Sequence, residues 1–239
     1  LILVLVYAFI GADGSFTFAN FAEVFSPGSG NLMLLLKTIG IAALTTVICL
    51  VVAYPTAMIL ASAPFNRYAV LALLFIIPMW MNFVLRVIAL KSLLYLFGIS
   101  NGFFSMIFGM VYDFFPFMLL PIYTVLTDMD KSYAEASADL GAGPMRTLFT
   151  VIVPQLVGGM ISGFALAFTL SLDDFVVTNL NKGTNGVNTV STYVYASLRR
   201  NLDPAIRALS TILFVSVLAV LIIVNIVKKS KAKKIEKTR

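Results

Sequence analysis

Histidine is absent from this sequence, and cysteine occurs once, at Cys49. Without histidine, a Ser-His-Asp triad and a His/Cys cluster that holds a metal ion are both excluded. A single thiol also cannot close an intramolecular disulfide. Charged residues are scarce, at 12% of the chain, whereas soluble domains carry about 25%. The sequence therefore predicts no metal site and no catalytic triad, and its composition is not that of a soluble domain.

Apolar residues, in contrast, make up 60% of the chain. A helix of about 20 consecutive apolar residues crosses a bilayer. Five stretches are that long: 34–62, 69–90, 103–125, 156–177 and 206–227. Residues 1–11 are apolar too, but at about 1.5 Å per residue they cannot cross a core of about 30 Å. We interpret them as the end of a first span, with a cleaved signal peptide as the alternative.

The predicted fold is therefore an all-α polytopic membrane protein of six helices, the first of which is truncated here. Residues 1–32 would hold the end of that helix and an external loop. Residues 33–228 would form the transmembrane domain, with a long cytoplasmic loop over 128–155. Residues 229–239 would form a basic cytoplasmic tail.

The tail sets the predicted orientation, because cytoplasmic segments near span ends are enriched in lysine and arginine. From Lys228 to Arg239 the chain holds seven basic residues and one acid, which sum to +6. The whole chain also carries +6, so the rest is neutral and nucleic-acid binding is not predicted. We expect the tail to be cytoplasmic and to contact anionic membrane lipid. Counting back from it, the loops at 63–68 and 126–155 would be cytoplasmic, and those at 11–32, 91–102 and 178–205 external.

The predicted cytoplasmic loop contains an unusual stretch of small residues, AEASADLGAGPMRTLFTVIVP, at positions 134–154. Its GAGPMRT segment lacks the spacing of a phosphate-binding P-loop and follows no strand. Composition alone leaves two alternatives open. One is a plain hairpin between spans, and the other is a surface on which a soluble partner docks.

Local sequence predicts two helices in this loop. Ser132 is expected to cap the first helix, with Glu135 completing a capping box. Gly141 and Gly143 permit a sharp change of direction, and Pro144 suits the first turn of a second helix. Two helices that meet at a bend form a projection suited to a groove on a partner.

The spacing of the loop resembles the EAA loop of ABC-importer permeases, the inner-membrane components of binding-protein-dependent transport systems. The matching positions are Glu135, Ala136, Ser137, Gly141, Val151, Val153 and Pro154. Ser137 replaces the second alanine of the family pattern, and the Glu–Gly–Pro spacing is intact. The resemblance implies that these residues couple the permease to a cytoplasmic ABC ATPase dimer. ATP-Mg would be bound by that partner, and this chain would bind no cofactor.

Acidic residues also occur in or beside the predicted spans, where ionisable groups are costly and usually functional. Asp113 lies within one span, and Asp173 and Asp174 lie toward the outer end of the next. With aromatic neighbours such as Trp80, these carboxylates suit a cationic amine, and we predict that all four residues line its path. The alternatives are a structural ion pair with Arg86, an acid pair at headgroup level, and Trp80 as an ordinary packing residue.

A stripe of small residues, Gly159, Gly163 and Ala167, recurs every four positions and permits close helix packing. The sequence leaves open whether this stripe packs within the chain or against a second permease subunit.

Further stretches resemble the spermidine/putrescine class of these permeases. IIPMWMNFVLRVIALK and VYDFFPFMLLPIYTVLTDMDKSYAEASADLGA are similar to the PotB-type subunit, and FALAFTLSLDDFVVTNL is similar to the PotC-type subunit. The resemblance implies a type I ABC-importer transmembrane domain in the cytoplasmic (inner) membrane of a bacterium, which carries polyamine inward by alternating access.

Partners implied by the same resemblance are a second permease subunit in a heterodimer, the ATPase dimer and an extracytoplasmic substrate-binding protein. The alternatives are a permease of the same type for ferric ion, thiosulfate or another small solute, and a channel or scaffold without an ATPase.

Overall fold

A computed structural model describes residues 6, 8–11, 15–26, 30–61, 70–130, 132–184, 186–198 and 204–236. Eleven α-helices lie in these ranges: α1 Ala19–Phe25, α2 Asn31–Ala61, α3 Val70–Ile76, α4 Phe83–Leu96, α5 Phe103–Asp128, α6 Ser132–Asp139, α7 Pro144–Thr147, α8 Val153–Leu172, α9 Val176–Asn181, α10 Val190–Leu198 and α11 Pro204–Glu236. A 3₁₀ turn, Ile77–Trp80, follows α3, and a π-helical segment, Leu148–Ile152, joins α7 to α8. The all-α prediction is confirmed.

Four of the described helical segments are long and apolar enough to cross a membrane: Asn31–Ala61, Phe103–Asp128, Pro144–Leu172 and Ile206–Ile223. A bent pair, Leu71–Trp80 with Phe83–Leu96, makes a fifth if it is counted as one span. These segments agree with the five predicted spans in number and order. The predicted end of a first span, residues 1–11, lies largely outside the described residues.

The predicted continuous span over 69–90 is wrong, because the chain breaks there and turns by 111°. Pro78 cannot donate a backbone hydrogen bond, and Met81 adopts an extended conformation. Asn82 then starts α4, since its Oδ1 accepts from the backbone N–H groups of Val84 and Leu85 at 3.0 and 3.3 Å. Hydropathy does not report such a break, because the residues on both sides of it are equally apolar.

Helices α2, α5 and α8 pack against one another and form the centre of the fold. Their shared core contains three methionines, three alanines and a cysteine that are fully buried: Met106, Met110, Met118, Ala53, Ala57, Ala167 and Cys49. A second core joins α8 to α1, α2, α10 and α11 through Val24, Leu35, Phe168, Leu172, Val190, Leu209 and Leu213. Helices α2 and α8 therefore contribute side chains to both cores.

The small-residue stripe of α8 packs within the chain. A Cβ atom at Gly159 would lie 2.7 Å from the Pro121 carbonyl oxygen of α5, and one at Gly163 would lie 2.8 Å from that of Met118. Glycine at both positions therefore allows the two backbones to touch, which decides between the alternatives that the sequence left open.

Candidate functional site

The bend predicted between two short helices is present and has a defined geometry. Helix α6 ends in a left-handed residue, Gly141, with φ of 75°. The Gly141 N–H donates to the Ala138 carbonyl at 2.8 Å, and the Ala142 N–H donates to the Ser137 carbonyl at 3.1 Å. This pair of bonds is a Schellman motif, in which glycine avoids the strain that a side chain would suffer. Pro144 then opens α7, as predicted.

The start of α6 differs from the predicted capping box. Ser132 is the first helical residue and not the cap, and its N–H donates to the Asp130 carboxylate at 2.9 Å. Asp130 competes well for this role because a carboxylate accepts more strongly than a hydroxyl and suits a helix N-terminus. The hydrogen bonds from Ser132 hold the pKa of the Asp130 carboxyl below its usual value.

A side-chain bond that the sequence analysis missed ties the two short helices together. The hydroxyl groups of Ser137 in α6 and Thr147 in α7 lie 2.9 Å apart across the bend. Thr147 is buried and Ser137 is partly buried, so water competes little for this bond. Since the two residues are ten positions apart and neither belongs to an apolar periodicity, the sequence carried no signal for their contact.

The surface of the bend is exposed and mixes acidic with apolar groups. Glu135, Ala136 and Gly141 are exposed, and so are four large apolar side chains around them: Tyr133, Leu140, Met145 and Phe149. Leu140, at the tip of α6, exposes 89% of its surface. Of the residues that end the motif, Val151 and Val153 are half-buried and Pro154 is exposed. Apolar side chains grouped on an exposed projection are typical of a protein-binding surface.

The bend is continuous with a membrane-spanning helix. From Pro144 to Leu172 the chain is helical through α7, the π-helical segment and α8. These 29 residues make a rod of about 40 Å. The rod starts at the bend and ends immediately before Asp173, so one helical segment connects the bend to the acidic residues.

The predicted acidic residues converge on one cavity of about 490 Å³, lined among others by Asp113, Asp173 and Asp174. Its apolar wall is formed by methionine and aromatic side chains from both sides of the broken span and from α5: Met79, Met81, Phe83, Phe114 and Phe117. A cavity with apolar walls and a few charged groups is the usual form of a small-molecule site.

Asp113 is completely buried and pairs with Arg86 of α4. The Arg86 Nε donates to Asp113 Oδ1, and the Arg86 Nη1 donates to the Pro78 carbonyl at 2.7 Å. The guanidinium carbon also lies 5.7 Å from the centre of the Phe83 ring. The second carboxylate oxygen, Oδ2, is buried and has no hydrogen-bond partner among the described residues. The structural ion pair considered from the sequence is thus present, and it leaves one oxygen of Asp113 free.

Asp174 and Asp173 are adjacent in sequence but occupy different environments. Asp174 is buried, and its carboxylate accepts from the Val177 N–H at 3.2 Å and from the N–H and hydroxyl of Thr178 at 2.8 and 2.9 Å. These bonds fix the first turn of α9. Asp173 lies just beyond the end of α8, is exposed, and has no side-chain partner among the described residues. The predicted span over 156–177 therefore ends early, at Leu172, and both acids lie in the turn that follows.

Trp80 does not join this group. It exposes 88% of its surface at the end of the 3₁₀ turn, whereas its neighbours Met79 and Met81 line the acidic cavity. The turn directs Met79 and Met81, but not Trp80, to the cavity, and no pattern in the sequence marks where that turn lies.

A second cavity, of about 520 Å³, adjoins the first. Thr169, Asp173 and Phe175 line both cavities, so Asp173 stands at their junction. The far wall includes Tyr195 of α10, whose ring centre lies 4.2 Å from that of Phe175. The short helix α10, which lies in the 178–205 loop, supplies this wall.

Long apolar helices, an exposed helical bend and buried carboxylates around a cavity define the chain as a polytopic membrane transport component. A family model described as "Binding-protein-dependent transport system inner membrane component" matches residues 1–237. The chain belongs to this family.

Named relatives agree with this assignment. The chain is 31% identical over 189 residues to the spermidine/putrescine transport system permease protein PotB of Salmonella typhimurium (strain SL1344), a match that covers 72% of this chain and 65% of the relative. It is 32% identical over 161 residues to the corresponding protein PotC of Escherichia coli (strain K12), covering 67% of this chain and 60% of the relative. The matches thus span less than two thirds of the length of these relatives.

Solved structures show the same fold. A methionine ABC transporter, MetNI, in inward-facing conformations superposes with a TM-score of 0.63 at 14% identity, covering 83% of this chain and 96% of that one. An amino acid ABC transporter gives a TM-score of 0.62 at 16% identity, covering 89% and 96%. At these identities the likeness defines the fold and not the substrate.

Proposed function

We propose that this chain is a permease subunit of an ATP-driven importer and that its substrate is a polyamine. The observation that carries the proposal is the acidic cavity, in which Asp113 and Asp173 offer unpaired carboxylate oxygens beside aromatic walls. Ammonium groups bind such oxygens by charge-assisted hydrogen bonds, and aromatic faces add cation–π attraction. The names of the PotB and PotC relatives support the same substrate class.

The cytoplasmic bend is the proposed site of ATPase docking. Its motif residues, from Glu135 to Pro154, surround the exposed apolar group at Leu140, Met145 and Phe149. Closure of an ATPase dimer that binds ATP-Mg would move this bend. The rod from Pro144 to Leu172 would carry the motion to Asp173 and switch the cavity between inward-facing and outward-facing states.

The remaining partners follow from the proposed machine. A second permease subunit would complete the translocation pathway, and an extracytoplasmic binding protein would deliver the amine. The membrane would be the cytoplasmic membrane of a bacterium, with the C-terminal tail on the cytoplasmic side. Basic residues from Lys228 onward support that orientation.

Other solutes fit the cavity less well. An oxyanion such as thiosulfate requires free positive groups, but Arg86, the one basic residue that lines the described cavity, is already paired with Asp113. Ferric ion is the stronger alternative, because carboxylates also bind hard cations. The third alternative, a channel or scaffold without an ATPase, would not require the exposed bend as a docking site.

The deciding experiment is uptake by proteoliposomes that hold the full-length permease, its partner permease and the ATPase, with the binding protein outside. Labelled spermidine, putrescine, ferric ion and thiosulfate are compared with and without internal ATP. We expect ATP-dependent uptake of amines that is lost in Asp173→Asn and retained in Glu23→Gln, a matched loss of one exposed charge far from the cavity in sequence. Uptake of ferric ion alone would refute the polyamine assignment, and uptake without ATP would refute the importer.

A further inference from the structure

Arg86 gives the acidic cavity a fixed internal cation. Asp113, Asp173 and Asp174 contribute three negative charges to the lining, and Arg86 contributes one positive charge. Together these four residues give the lining a net charge of −2. Charges in a cavity with apolar walls interact strongly, because little water screens them. The net charge of the lining therefore affects which cations it holds.

Three separate contacts hold the Arg86 side chain in place, so its positive charge stays in the cavity. Its Nε binds Asp113, its Nη1 binds the Pro78 carbonyl, and its guanidinium faces the Phe83 ring. The Pro78 carbonyl belongs to the broken segment between α3 and α4. A single arginine thus satisfies a backbone group that the break exposes and neutralises one unit of the acidic charge.

The same contacts limit the number of carboxylate oxygens in the lining that are left without a partner. Asp174 uses both oxygens on the first turn of α9. Asp113 has spent Oδ1 on Arg86 and keeps Oδ2, which is buried without a partner. Asp173 has both oxygens available. Two carboxylates, Asp113 and Asp173, therefore remain for ammonium groups.

We propose that Arg86 is a specificity-determining residue for the substrate. Because Arg86 binds one oxygen of Asp113, the part of the pathway formed by this chain favours an amine with two ammonium groups over one with three. The proposal rests on the proposed function, since it refines the substrate class of the same cavity. Two free carboxylates and a net charge of −2 both match a linear diamine. A third ammonium group finds the fixed guanidinium in place of an acceptor, and like charges repel each other in such surroundings.

The test is a competition assay in the reconstituted transporter, with putrescine as the diamine and spermidine as the triamine. The ratio of their inhibition constants is measured, because this ratio does not depend on how much permease is folded. We expect Arg86→Gln, which changes the net charge to −3, to shift the ratio toward the triamine by about tenfold. Arg86→Lys keeps the charge and is expected to leave the ratio near that of the unchanged protein.

Two further variants separate charge from structure. Adding Asp113→Asn to Arg86→Gln changes the net charge from −3 back to −2, and we expect the gain for the triamine to be lost. Binding of both amines should weaken in this variant, because Asp113 is one of the two acceptors. Thr169→Asp adds one acid to the lining without touching the ion pair and should shift the ratio as Arg86→Gln does, which keeps the test decisive if the Arg86 variants fail to fold.

An unchanged ratio in Thr169→Asp, or in a folded Arg86→Gln protein, would overturn the role of Arg86 while leaving polyamine transport intact. A failure of the unchanged protein to transport either amine would instead remove the proposed function, and the role of Arg86 with it.

Discussion

Arg86 of α4 and Asp113 of α5 form an ion pair inside the helical bundle, where the exposure of Asp113 is 0%. The pair joins the two helices that flank the acidic cavity, and it holds the carbonyl of the broken segment through Arg86. Breaking a buried pair from one side leaves a charge without compensation, whereas removing both charges does not.

The first prediction follows from that asymmetry. Asp113→Ala is expected to lower the free energy of unfolding by about 3–5 kcal/mol, because Arg86 stays buried without its partner. The double variant Arg86→Met with Asp113→Leu should show a clearly smaller loss of unfolding free energy, because it removes both charges. Denaturant unfolding of purified permease in detergent measures both. Equal losses in the single and double variants would show that the two side chains are not coupled.

The small-residue stripe of α8 gives a second prediction. Gly163→Ala places a Cβ about 2.8 Å from the Met118 carbonyl oxygen, so the backbones of α5 and α8 must separate. We expect a loss of about 1–3 kcal/mol in unfolding free energy. Gly158→Ala is the matched control, because nothing lies within 4 Å of its Cβ position, and it should unfold no earlier than the unchanged protein. A loss at Gly158 equal to that at Gly163 would contradict the packing argument.

The helical architecture could be predicted from the sequence, because a continuous run of about 20 apolar residues crosses a bilayer as an α-helix. It also placed the bend, since the preference of Gly141 for positive φ and of Pro144 for a first helical turn are local properties. The packing partners of the helices were harder to predict. The stripe at Gly159 and Gly163 indicated close helix packing but not the helix that it contacts, because that depends on the path of the whole chain.

The broken span shows the main limit of the sequence. Pro78 is one of several prolines in apolar stretches, and α5 remains helical through Pro116 and Pro121. What distinguishes Pro78 is its surroundings: Asn82 starts a new helix, and Arg86 donates a hydrogen bond to the Pro78 carbonyl. The sequence placed the acids in or near spans, but their division into paired, capping and unpaired carboxylates arises only from the folded arrangement.

A third prediction concerns the turn at Gly141. Any other residue at φ of 75° is strained, by about 1–2 kcal/mol, although there is open space around its Cβ position. Gly141→Ala is therefore expected to distort the bend and to reduce ATP-dependent uptake while the unfolding temperature changes little. Gly143→Ala is the control, since Gly143 has an ordinary φ of −66° and also meets nothing within 4 Å. Equal uptake by the two variants would show that the shape of the bend does not matter.

The hydroxyl contact across the bend supplies a fourth prediction. Ser137→Ala and Thr147→Val each remove one partner of the 2.9 Å bond between α6 and α7. Each should weaken coupling of ATP hydrolysis to uptake, and the double variant should be little worse than either single one, because the bond is lost only once. The ratio of ATP hydrolysed to amine transported measures this coupling. Independent, additive effects would show that the two hydroxyls do not act as a pair.

Substitutions of the adjacent acids Asp173 and Asp174 are predicted to have different effects, one on amine uptake and the other on stability. Asp174→Ala removes the acceptor of three hydrogen bonds that fix the first turn of α9, so it should lower the unfolding free energy by about 1–2 kcal/mol. Asp174→Asn keeps an acceptor oxygen and should recover most of that loss.

Asp173→Asn, in contrast, should leave the unfolding free energy within about 0.5 kcal/mol, because Asp173 is exposed and unpaired in the described structure. Amine uptake should nevertheless be lost, since Asp173 is one of the two carboxylates left for ammonium groups and stands at the junction of both cavities. Unfolding in detergent and uptake in proteoliposomes, measured on the same preparations, separate the two roles. If Asp173→Asn transports amine normally while Asp174→Asn does not, the assignment of the two acids must be reversed.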